Sequence, residues 1–421
     1  MNEVGQTKRS LRGAAWLTQG PLPRLLDVLS GDGEEARVAG GAIRNAVMNL
    51  PPGDIDIATT ATPEEVIRRV TRAGFKAVPT GIEHGTITVV ADGVPFEVTT
   101  LRVDVETFGR KATVRFGRDW RADAERRDFT MNALTATADG TIHDYVGGLA
   151  DLEARRVRFI GDPAMRIAED YLRILRFFRF HAAYGEGEPD RAGMAACIAG
   201  RGGLEQLSRE RVRMELVKLL VAKGVVPALT AMADAGLLGS VLGGVPLVAS
   251  VARMAEIEAA LGLAADPIRR LAALNVLIIE DAERLWQRLR LSNAEHELLA
   301  CMGDGWRRVL PEAGEQAARA WLYRLGPEHY RNRVLLAWAR AAAQPDDDAW
   351  GRLAALPQRW TAPVFPLKAA DFMQRGVEKG PALGAVLRAA EEAWIAADFS
   401  ADSETIGQIA TNAVEGAAKA T

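Results

Sequence analysis

The sequence has few cysteines and few aromatic residues. Its 421 residues include two cysteines, Cys197 and Cys301, and aromatic residues make up 6% of the chain. Two cysteines cannot form a disulfide scaffold or a zinc site built from cysteines, and their scarcity is typical of a reducing compartment. We therefore expect a cytoplasmic protein without a disulfide framework.

Long apolar runs and a charge excess are also missing. No stretch approaches the roughly 18 apolar residues that a membrane span needs, and residues 1–16 lack the apolar segment of a secretory signal. Lys and Arg total 52 against 55 Asp and Glu, a net charge of −3, which argues against a strongly basic nucleic-acid binder. The composition is that of a globular protein, and the length predicts about two to four domains. We expect no membrane partner.

The pattern of the chain changes near residue 147. Before it, short runs typical of strands occur at residues 37–39, 54–58, 86–90 and 96–100, and a helical stretch begins at Thr62. After it, apolar residues recur with helical spacing, for example at 169–184, 208–222 and 268–289. These patterns predict an α+β head with a small mixed sheet flanked by helices, at residues 1–146. They also predict an all-α remainder, with a neck at 147–225 and a body and tail at 226–421.

Two carboxylates two residues apart give the first chemical signal. Asp54 and Asp56 lie in a strand pattern, so both side chains are expected on one face of the sheet. Carboxylates this close repel each other unless a cation neutralises them, and carboxylate oxygens suit Mg2+. An isolated pair of this kind is more often a solvated strand edge or a turn.

A glycine turn precedes the carboxylates by about a dozen residues. Gly40 and Gly41 separate a strand pattern from a helix start, and Arg44 follows. Glycines there let backbone N–H groups approach a phosphate, and a guanidinium suits phosphate oxygens. Together with the carboxylates, this arrangement describes a site for a metal and a triphosphate.

At this point the sequence resembles a known family. The segments GGAIRN and GDIDIATT resemble the signature of the DNA polymerase β-like nucleotidyltransferases, and within them the class II CCA-adding tRNA nucleotidyltransferases and bacterial poly(A) polymerases. The resemblance continues through RRDFTMNAL (126–134), RFIG (158–161), EDYLR (169–173) and SRER (208–211), and covers about residues 36–220. It implies Mg2+ held by Asp54 and Asp56, CTP and ATP as substrates, and the 3′ end of tRNA as partner.

The RRDFTMNAL segment contains two residues four positions apart. Asp128 and Asn132 are therefore expected on one helix face. The resemblance gives Arg127 a role at the triphosphate, and gives Asp128 and Asn132 a role beside the ribose. An ordinary charged helix start is the simpler interpretation without that context.

The helical pattern at 169–184 begins with Asp170 and Arg173. At this spacing the two side chains either pair with each other or reach one target together. A carboxylate accepts from the amino group of cytosine or adenine, and a guanidinium donates to the adjacent ring nitrogen. Uracil and guanine present the opposite polarity there, so the pair would reject them. We expect Glu169 to orient Arg173 or the neighbouring backbone and not to touch the base, and the resemblance implies that Asp170 and Arg173 act as an amino-acid template for the base.

Two further features stay open. Glu97, in a strand pattern, is either a third carboxylate near the attacking hydroxyl or a structural acid. Residues 102–125 carry several arginines and two glycines with little apolar periodicity, which indicates a mobile loop. In the resembling family such a loop helps the change from C to A addition.

Three functions fit these motifs. The first is the template-independent addition of CCA to tRNA by a two-metal nucleotidyl transfer. The second is poly(A) polymerisation, although the stretch TGIEHGT at 80–86 follows the CCA-adding pattern. The third is a non-catalytic tRNA-binding relative, against which the presence of Asp54, Asp56, Asp170 and Arg173 argues. The oligomeric state cannot be read from the sequence.

Overall fold

The computed structural model describes residues 10–108, 111–341 and 343–420. The chain forms two compact units, residues 1–243 and 244–421. Gly109 and Arg110 of the predicted loop lie outside the described residues. None of the helices in the described part of the chain has the length and apolar character needed to cross a bilayer.

The strands lie in the first unit, before residue 147, as predicted. A seven-stranded mixed sheet has the order β3-β4-β5-β2-β1-β8-β9, and β6 pairs with β7 in a separate hairpin. In the seven-stranded sheet, β2 and β5 run parallel. The strands are β1 (Ala36–Ala39), β2 (Asp56–Thr59), β3 (Lys76–Gly81), β4 (Thr86–Ala91), β5 (Val94–Thr100), β6 (Arg102–Phe108), β7 (Lys111–Phe116), β8 (Thr135–Ala136) and β9 (Ile142–His143).

The helices of the first unit flank the sheet and then continue as an all-α segment. They are α1 (Ala15–Thr18), α2 (Leu22–Leu29), α3 (Gly41–Val47), α4 (Pro63–Arg72), α5 (Trp120–Glu125), α6 (Gly148–Glu153), α7 (Pro163–Glu169), α8 (Leu172–Tyr184), α9 (Arg191–Ala199), α10 (Arg209–Leu220), α11 (Val225–Asp234) and α12 (Leu237–Leu242). The predicted start of α4 is confirmed, because the Thr62 side chain accepts from the Glu65 N–H and Pro63 is the first helical residue.

An aromatic cluster joins the sheet region to α8. The Phe129 ring lies 4.9 Å from Phe159 and 5.2 Å from Phe180, and Phe159 stacks on Phe177 at 5.4 Å. Phe129 follows the RRD segment, while Phe177 and Phe180 belong to α8. Because these rings are buried together, the cluster fixes α8 against the segment that carries Asp128.

Three local predictions were wrong. Asp54 lies in a bend, and β2 begins only at Asp56, because Gly53 with φ of 70° turns the chain just before it. Asp128 also lies outside any helix, between α5 and a single 3₁₀ turn at residues 130–132. The predicted helix at 169–184 is interrupted, since Asp170 has extended backbone (φ −156°, ψ 105°) between α7 and α8.

The segment 102–125 is not a loop, contrary to the prediction. It forms the β6–β7 hairpin followed by α5. The sequence of β6 alternates apolar and polar residues, a period-2 signal that the high arginine content obscured. The Asp119 side chain caps α5 by accepting from the N–H groups of Arg121 and Ala122.

The second unit is helical, as predicted for the body and tail. Its helices are α13 (Val248–Ala260), α14 (Pro267–Asn275), α15 (Ile279–Leu289), α16 (Asn293–Gly303), α17 (Gly314–Arg340), α18 (Asp348–Ala354), α19 (Leu356–Arg359), α20 (Ala369–Met373), α21 (Pro381–Ala396) and α22 (Ser403–Ala420). Helix α17 is kinked at Gly326, where φ is 75°, just before Pro327. Glu258 is buried in this unit and is paired with Arg269 and Arg270, each at 2.8 Å.

Candidate active site

A polar crevice of about 550 Å3 lies in the first unit. Ten of the eleven predicted site residues line it, and Asp54 is the exception. The ten are Gly40, Gly41, Arg44, Asp56, Glu97, Arg127, Asp128, Asn132, Asp170 and Arg173. The structure therefore brings together residues that are up to 133 positions apart in the sequence.

Asp56 and Glu97 are neighbours on the sheet. They are register partners on the parallel strands β2 and β5, so their side chains leave the same face. The Asp56 residue is exposed to solvent as a whole, but the surrounding walls of the crevice partly desolvate its carboxylate. This desolvation, with the charges of Glu97 and Asp54, raises the pKa of Asp56 against the lowering effect of Arg127.

These carboxylates fit a divalent cation. The negative charges of Glu97 and Asp54 add to the desolvation that raises the pKa of Asp56, and a bound cation would relieve the repulsion among them. Hard carboxylate oxygens are also the donors that Mg2+ prefers. Within the ranges that the structure describes, no three or more His, Cys, Asp or Glu residues form a group that could hold a metal ion. The ligand pair Asp54 and Asp56 accordingly stays a prediction.

Gly40 allows the crevice wall to come close to Arg127. Its φ of 69° and ψ of −115° are a backbone conformation that L residues rarely adopt. A Cβ atom at this position would lie 3.4 Å from both the Arg127 Nη1 and the Asn132 carbonyl oxygen. Glycine is therefore favoured here by backbone geometry, and a Cβ atom would lie at the close limit of van der Waals contact with both atoms.

Arg44 is buried and held by several hydrogen bonds. Its guanidinium donates to Asn132 Oδ1 at 2.6 Å, to Asn45 Oδ1 at 2.9 Å and to the Tyr184 hydroxyl at 2.8 Å. It also stacks on the Tyr184 ring at 4.0 Å, and burial lowers the pKa of Arg44. Arg44 thus links the glycine turn to Asn132 and to the end of α8.

Asp128 and Asn132 contact each other although no helix carries them. Asn132 Nδ2 donates to Asp128 Oδ1 at 3.0 Å, and Arg176 Nη2 lies 2.6 Å from Asp128 Oδ2. Burial would raise the pKa of Asp128, but the charge of Arg176 and the hydrogen bonds outweigh it, so the pKa is lowered. Asp128 is therefore an ionised acceptor at the crevice wall.

Asp170 and Arg173 are each held by another residue. Asp170 Oδ2 pairs with Arg211 Nη2 at 2.6 Å, and Asp170 Oδ1 accepts from the Leu172 N–H at 3.1 Å. Arg173 donates to Glu169, as expected, and to the Arg166 carbonyl at 2.8 Å. Both side chains line the same crevice, so the structure favours a shared target over an Asp170–Arg173 salt bridge.

Sequence reasoning missed the residues that hold the site in place. Arg176 bridges Asp128 and Glu215, Arg211 pairs with Asp170, and Tyr184 bonds to Arg44. A signal existed for Arg176, which is one helical turn after Arg173 on α8. Arg211 belongs to the SRER segment, but the long separation from Asp170 gave no indication of their contact.

A mixed sheet that carries paired carboxylates, together with facing arginines and a glycine turn, defines a nucleotidyltransferase head. Two family descriptions match this chain, the poly(A) polymerase head domain at residues 36–158 and the probable RNA- and SrmB-binding site of polymerase A at residues 192–249. The mouse mitochondrial CCA tRNA nucleotidyltransferase 1 is 34% identical over 89% of this chain and 86% of its own length. The CCA-adding enzyme of Limosilactobacillus fermentum is 32% identical over 92% of this chain and 95% of its own.

Solved structures agree with these relatives. The Bacillus stearothermophilus CCA-adding enzyme, in complex with CTP, superposes with a TM-score of 0.74 at 26% identity, over 95% of this chain and 98% of that one. The Thermotoga maritima CCA-adding enzyme, complexed with tRNA, shares the fold with a TM-score of 0.70 at 19% identity, over 97% of this chain and 100% of that one. The chain belongs to the family of CCA-adding tRNA nucleotidyltransferases.

Proposed function

We propose that this protein adds CCA to the 3′ end of tRNA, using CTP and ATP and releasing pyrophosphate. The observation that carries the proposal is that one crevice holds the carboxylates Asp56 and Glu97, the arginines Arg126 and Arg127, and the pair Asp170 and Arg173. These side chains would combine metal ligation, triphosphate binding and base selection in a single crevice. In the reaction, the 3′ oxygen of the primer forms a bond to the α-phosphorus, and the bond to the pyrophosphate leaving group breaks.

Asp54 and Asp56 are the residues that would hold Mg2+. When bound, Mg2+ neutralises charge on the phosphates and lowers the pKa of the attacking hydroxyl. Glu97 lies beside Asp56 and faces the same crevice. Its proposed role is to accept the proton of the primer hydroxyl or to position the group that does.

The triphosphate and the ribose would contact the wall opposite these carboxylates. Gly40 and Gly41 let the phosphates approach the backbone, while Arg44 and Arg127 supply positive charge. Asp128, kept ionised by Arg176, would accept from the ribose hydroxyl, and Asn132 orients it. A deoxynucleotide would lose this hydrogen bond to Asp128, so ribonucleotides are preferred.

Asp170 and Arg173 would read the base. Arg211 occupies one side of the Asp170 carboxylate, and Glu169 holds Arg173. Each side chain is fixed before the nucleotide arrives, so little conformational entropy is lost on binding. A fixed acceptor next to a fixed donor matches cytosine and adenine and opposes uracil and guanine.

The domain roles follow from this arrangement. Residues 1–146 would act as the catalytic head, 147–225 as the neck that recognises the base, and 226–421 as the RNA-binding body and tail. The cytoplasm is the proposed compartment, on the basis of the two unpaired cysteines. The mouse relative carries a mitochondrial name, so fractionation of cells expressing the full chain is the test.

A primer-extension assay tests the function. Labelled tRNAs that lack CCA, CA or A are incubated with each nucleotide alone and with all four. Addition of C, C and A followed by a stop is expected, with activity lost when Mg2+ is chelated. A long A tail on unrelated RNA would identify a poly(A) polymerase instead, and tRNA binding without incorporation would identify a non-catalytic relative.

A further inference from the structure

A buried carboxylate lies between the two arginines of the RRD segment. Asp123 Oδ1 accepts from Arg126 Nε at 2.8 Å, and Arg126 Nη2 lies 2.7 Å from the same oxygen. Asp123 Oδ2 accepts from Arg127 Nη2 at 3.1 Å and from Arg127 Nε at 3.3 Å. Each carboxylate oxygen therefore binds one guanidinium through two of its nitrogens.

The position of Asp123 is fixed by α5. The arginines follow it by three and four residues, a spacing that places all three side chains on one side of the turn. The Asp123 side chain is 4% exposed, whereas those of Arg126 and Arg127 are 18% and 22% exposed. The carboxylate thus lies behind the guanidiniums, which remain accessible from the crevice.

Charge explains why this arrangement is stable. Burial alone would raise the pKa of Asp123, but the charges of Arg127 and Arg126 lower it below its ordinary value. An ionised Asp123 cancels one of the two positive charges and leaves the other for a ligand. Arg127 also donates to the Asn132 carbonyl at 3.3 Å, and its charge acts on Asp56.

We propose that Asp123 is a positioning residue for the triphosphate, holding Arg126 and Arg127 in the orientation that binds the phosphates shared by CTP and ATP. Asp123 acts through the two arginines and touches neither base nor primer. This inference rests on the proposed function, because it assigns the triphosphate to this wall of the crevice. It predicts an effect that is independent of the base, in contrast to changes at Asp170 or Arg173.

The substitution Asp123→Asn keeps the shape and removes the charge. An amide presents one acceptor oxygen, so one guanidinium loses its partner and is freed to rotate. The KM values for CTP and ATP should both rise about tenfold or more, by the same factor, while the KM for tRNA stays within about twofold. Inhibition by pyrophosphate should weaken in parallel, because pyrophosphate carries the same phosphates without a base.

Glu125→Gln provides a matched control on the same helix. Glu125 is exposed and lies outside the crevice, with its Oε1 atom 3.8 Å from Arg121 Nη1. Its substitution should therefore leave the KM values and the inhibition by pyrophosphate unchanged. Unchanged nucleotide and pyrophosphate constants in Asp123→Asn would overturn the proposal. A rise for one nucleotide only, or for tRNA as well, would also overturn it.

A second variant decides the matter if Asp123→Asn does not fold. Asp123→Glu retains the charge but moves the carboxylate by one methylene, which displaces both guanidiniums. A parallel rise in the KM for CTP and ATP of about threefold or more supports the proposal, and wild-type constants refute it. Calorimetric titration with pyrophosphate measures the affinity for the phosphates directly, without turnover, and a weaker affinity in the variant is expected. The wild-type extension assay decides the proposed function separately.

Discussion

The Asp170 carboxylate is paired with Arg211 of α10, and Asp170 Oδ2 lies 2.6 Å from Arg211 Nη2. Arg211 is the third residue of α10, while Asp170 lies between α7 and α8. Because Oδ1 is held by the Leu172 N–H, the contact with Arg211 fixes the second oxygen and hence the plane of the carboxylate. A base-reading role for Asp170 depends on this plane.

Removal of Arg211 should impair nucleotide choice. In Arg211→Gln the carboxylate can rotate about its side-chain bonds, and kcat/KM for CTP and ATP should fall about 10- to 100-fold. Discrimination against UTP and GTP should decrease as well. Single-nucleotide incorporation with each of the four nucleotides measures both effects.

Arg209→Gln is the control for this experiment. Arg209 is exposed on the same helix and does not line the crevice, so its substitution should leave selectivity intact. If Arg211→Gln keeps wild-type selectivity, Arg211 does not orient Asp170. If Arg209→Gln produces the same loss, the effect reflects the charge of α10 and not the contact.

Replacement of Glu97 should stabilise the protein without metal. The pKa of Asp56 lies above the ordinary value of 3.8, so the folded state holds more protons than the unfolded state between the two values. The free energy of unfolding therefore falls as pH rises through that interval, and the repulsion between Asp56 and Glu97 persists at neutral pH. Glu97→Gln removes part of this repulsion. It should raise the free energy of unfolding by about 0.2 to 1 kcal/mol, the range for exposed charge pairs.

Thermal unfolding at neutral pH, with and without Mg2+, measures this effect. The midpoint without Mg2+ should rise in Glu97→Gln, while the stabilisation by added Mg2+ should be smaller than in the wild type. Glu83→Gln removes the same charge from an exposed turn and controls for net charge. A lower midpoint in Glu97→Gln would show that Glu97 is a structural acid.

Gly40→Ala should impair both stability and triphosphate binding. The positive φ lowers the free energy of unfolding by about 1 to 2 kcal/mol when the residue is alanine. The new Cβ would also lie 3.4 Å from Arg127 Nη1 and from the Asn132 carbonyl oxygen. Gly93→Ala has a similar φ of 82° with no atom within 4 Å of the new Cβ, so it should cost stability alone. Equal KM values for ATP in the two variants would mean that the close approach at Gly40 has no role in binding.

The sheet and most of the crevice could be predicted from local patterns. Short runs typical of strands at residues 86–90 and 96–100 predicted β4 and β5, and the paired registers of β2 and β5 then place Asp56 beside Glu97. The crevice lining was predicted because the motifs resemble those of a known family and several of them have a chemistry of their own. Both sets of predictions depend on residues that are close in the sequence.

Contacts between distant segments could not be predicted in the same way. The sequence provides no measure of the distance between Asp128 and Arg176, which the buried aromatic cluster sets, or between Asp170 and Arg211, which depends on the packing of α10 against α8. The predicted boundaries of the helix at 169–184 were wrong for a related reason. Periodicity continues through Asp170, whereas tertiary contacts hold its backbone extended there.

Arg176→Gln should destabilise the protein in a pH-dependent way. The variant loses the pairs with Asp128 at 2.6 Å and with Glu215 at 3.5 Å. Asp128 in the crevice wall then lacks its cation, at a cost of about 2 to 3 kcal/mol near pH 7, whereas Glu215 keeps its pair with Arg179. This is less than for a fully buried pair, since the Arg176 side chain is 31% exposed.

The pH dependence identifies the cause. The pKa of Asp128 is lowered in the folded protein, so its stabilising contribution is present above the ordinary value of 3.8 and is lost as pH falls through the lowered pKa. The difference between wild type and Arg176→Gln, measured by urea denaturation, should shrink as the pH falls below that value. Arg155→Gln, which breaks an exposed pair with Glu186 at 3.9 Å, should cost less than about 0.5 kcal/mol at every pH. A constant difference for Arg176→Gln would mean that its effect comes from lost packing, because packing does not titrate with Asp128.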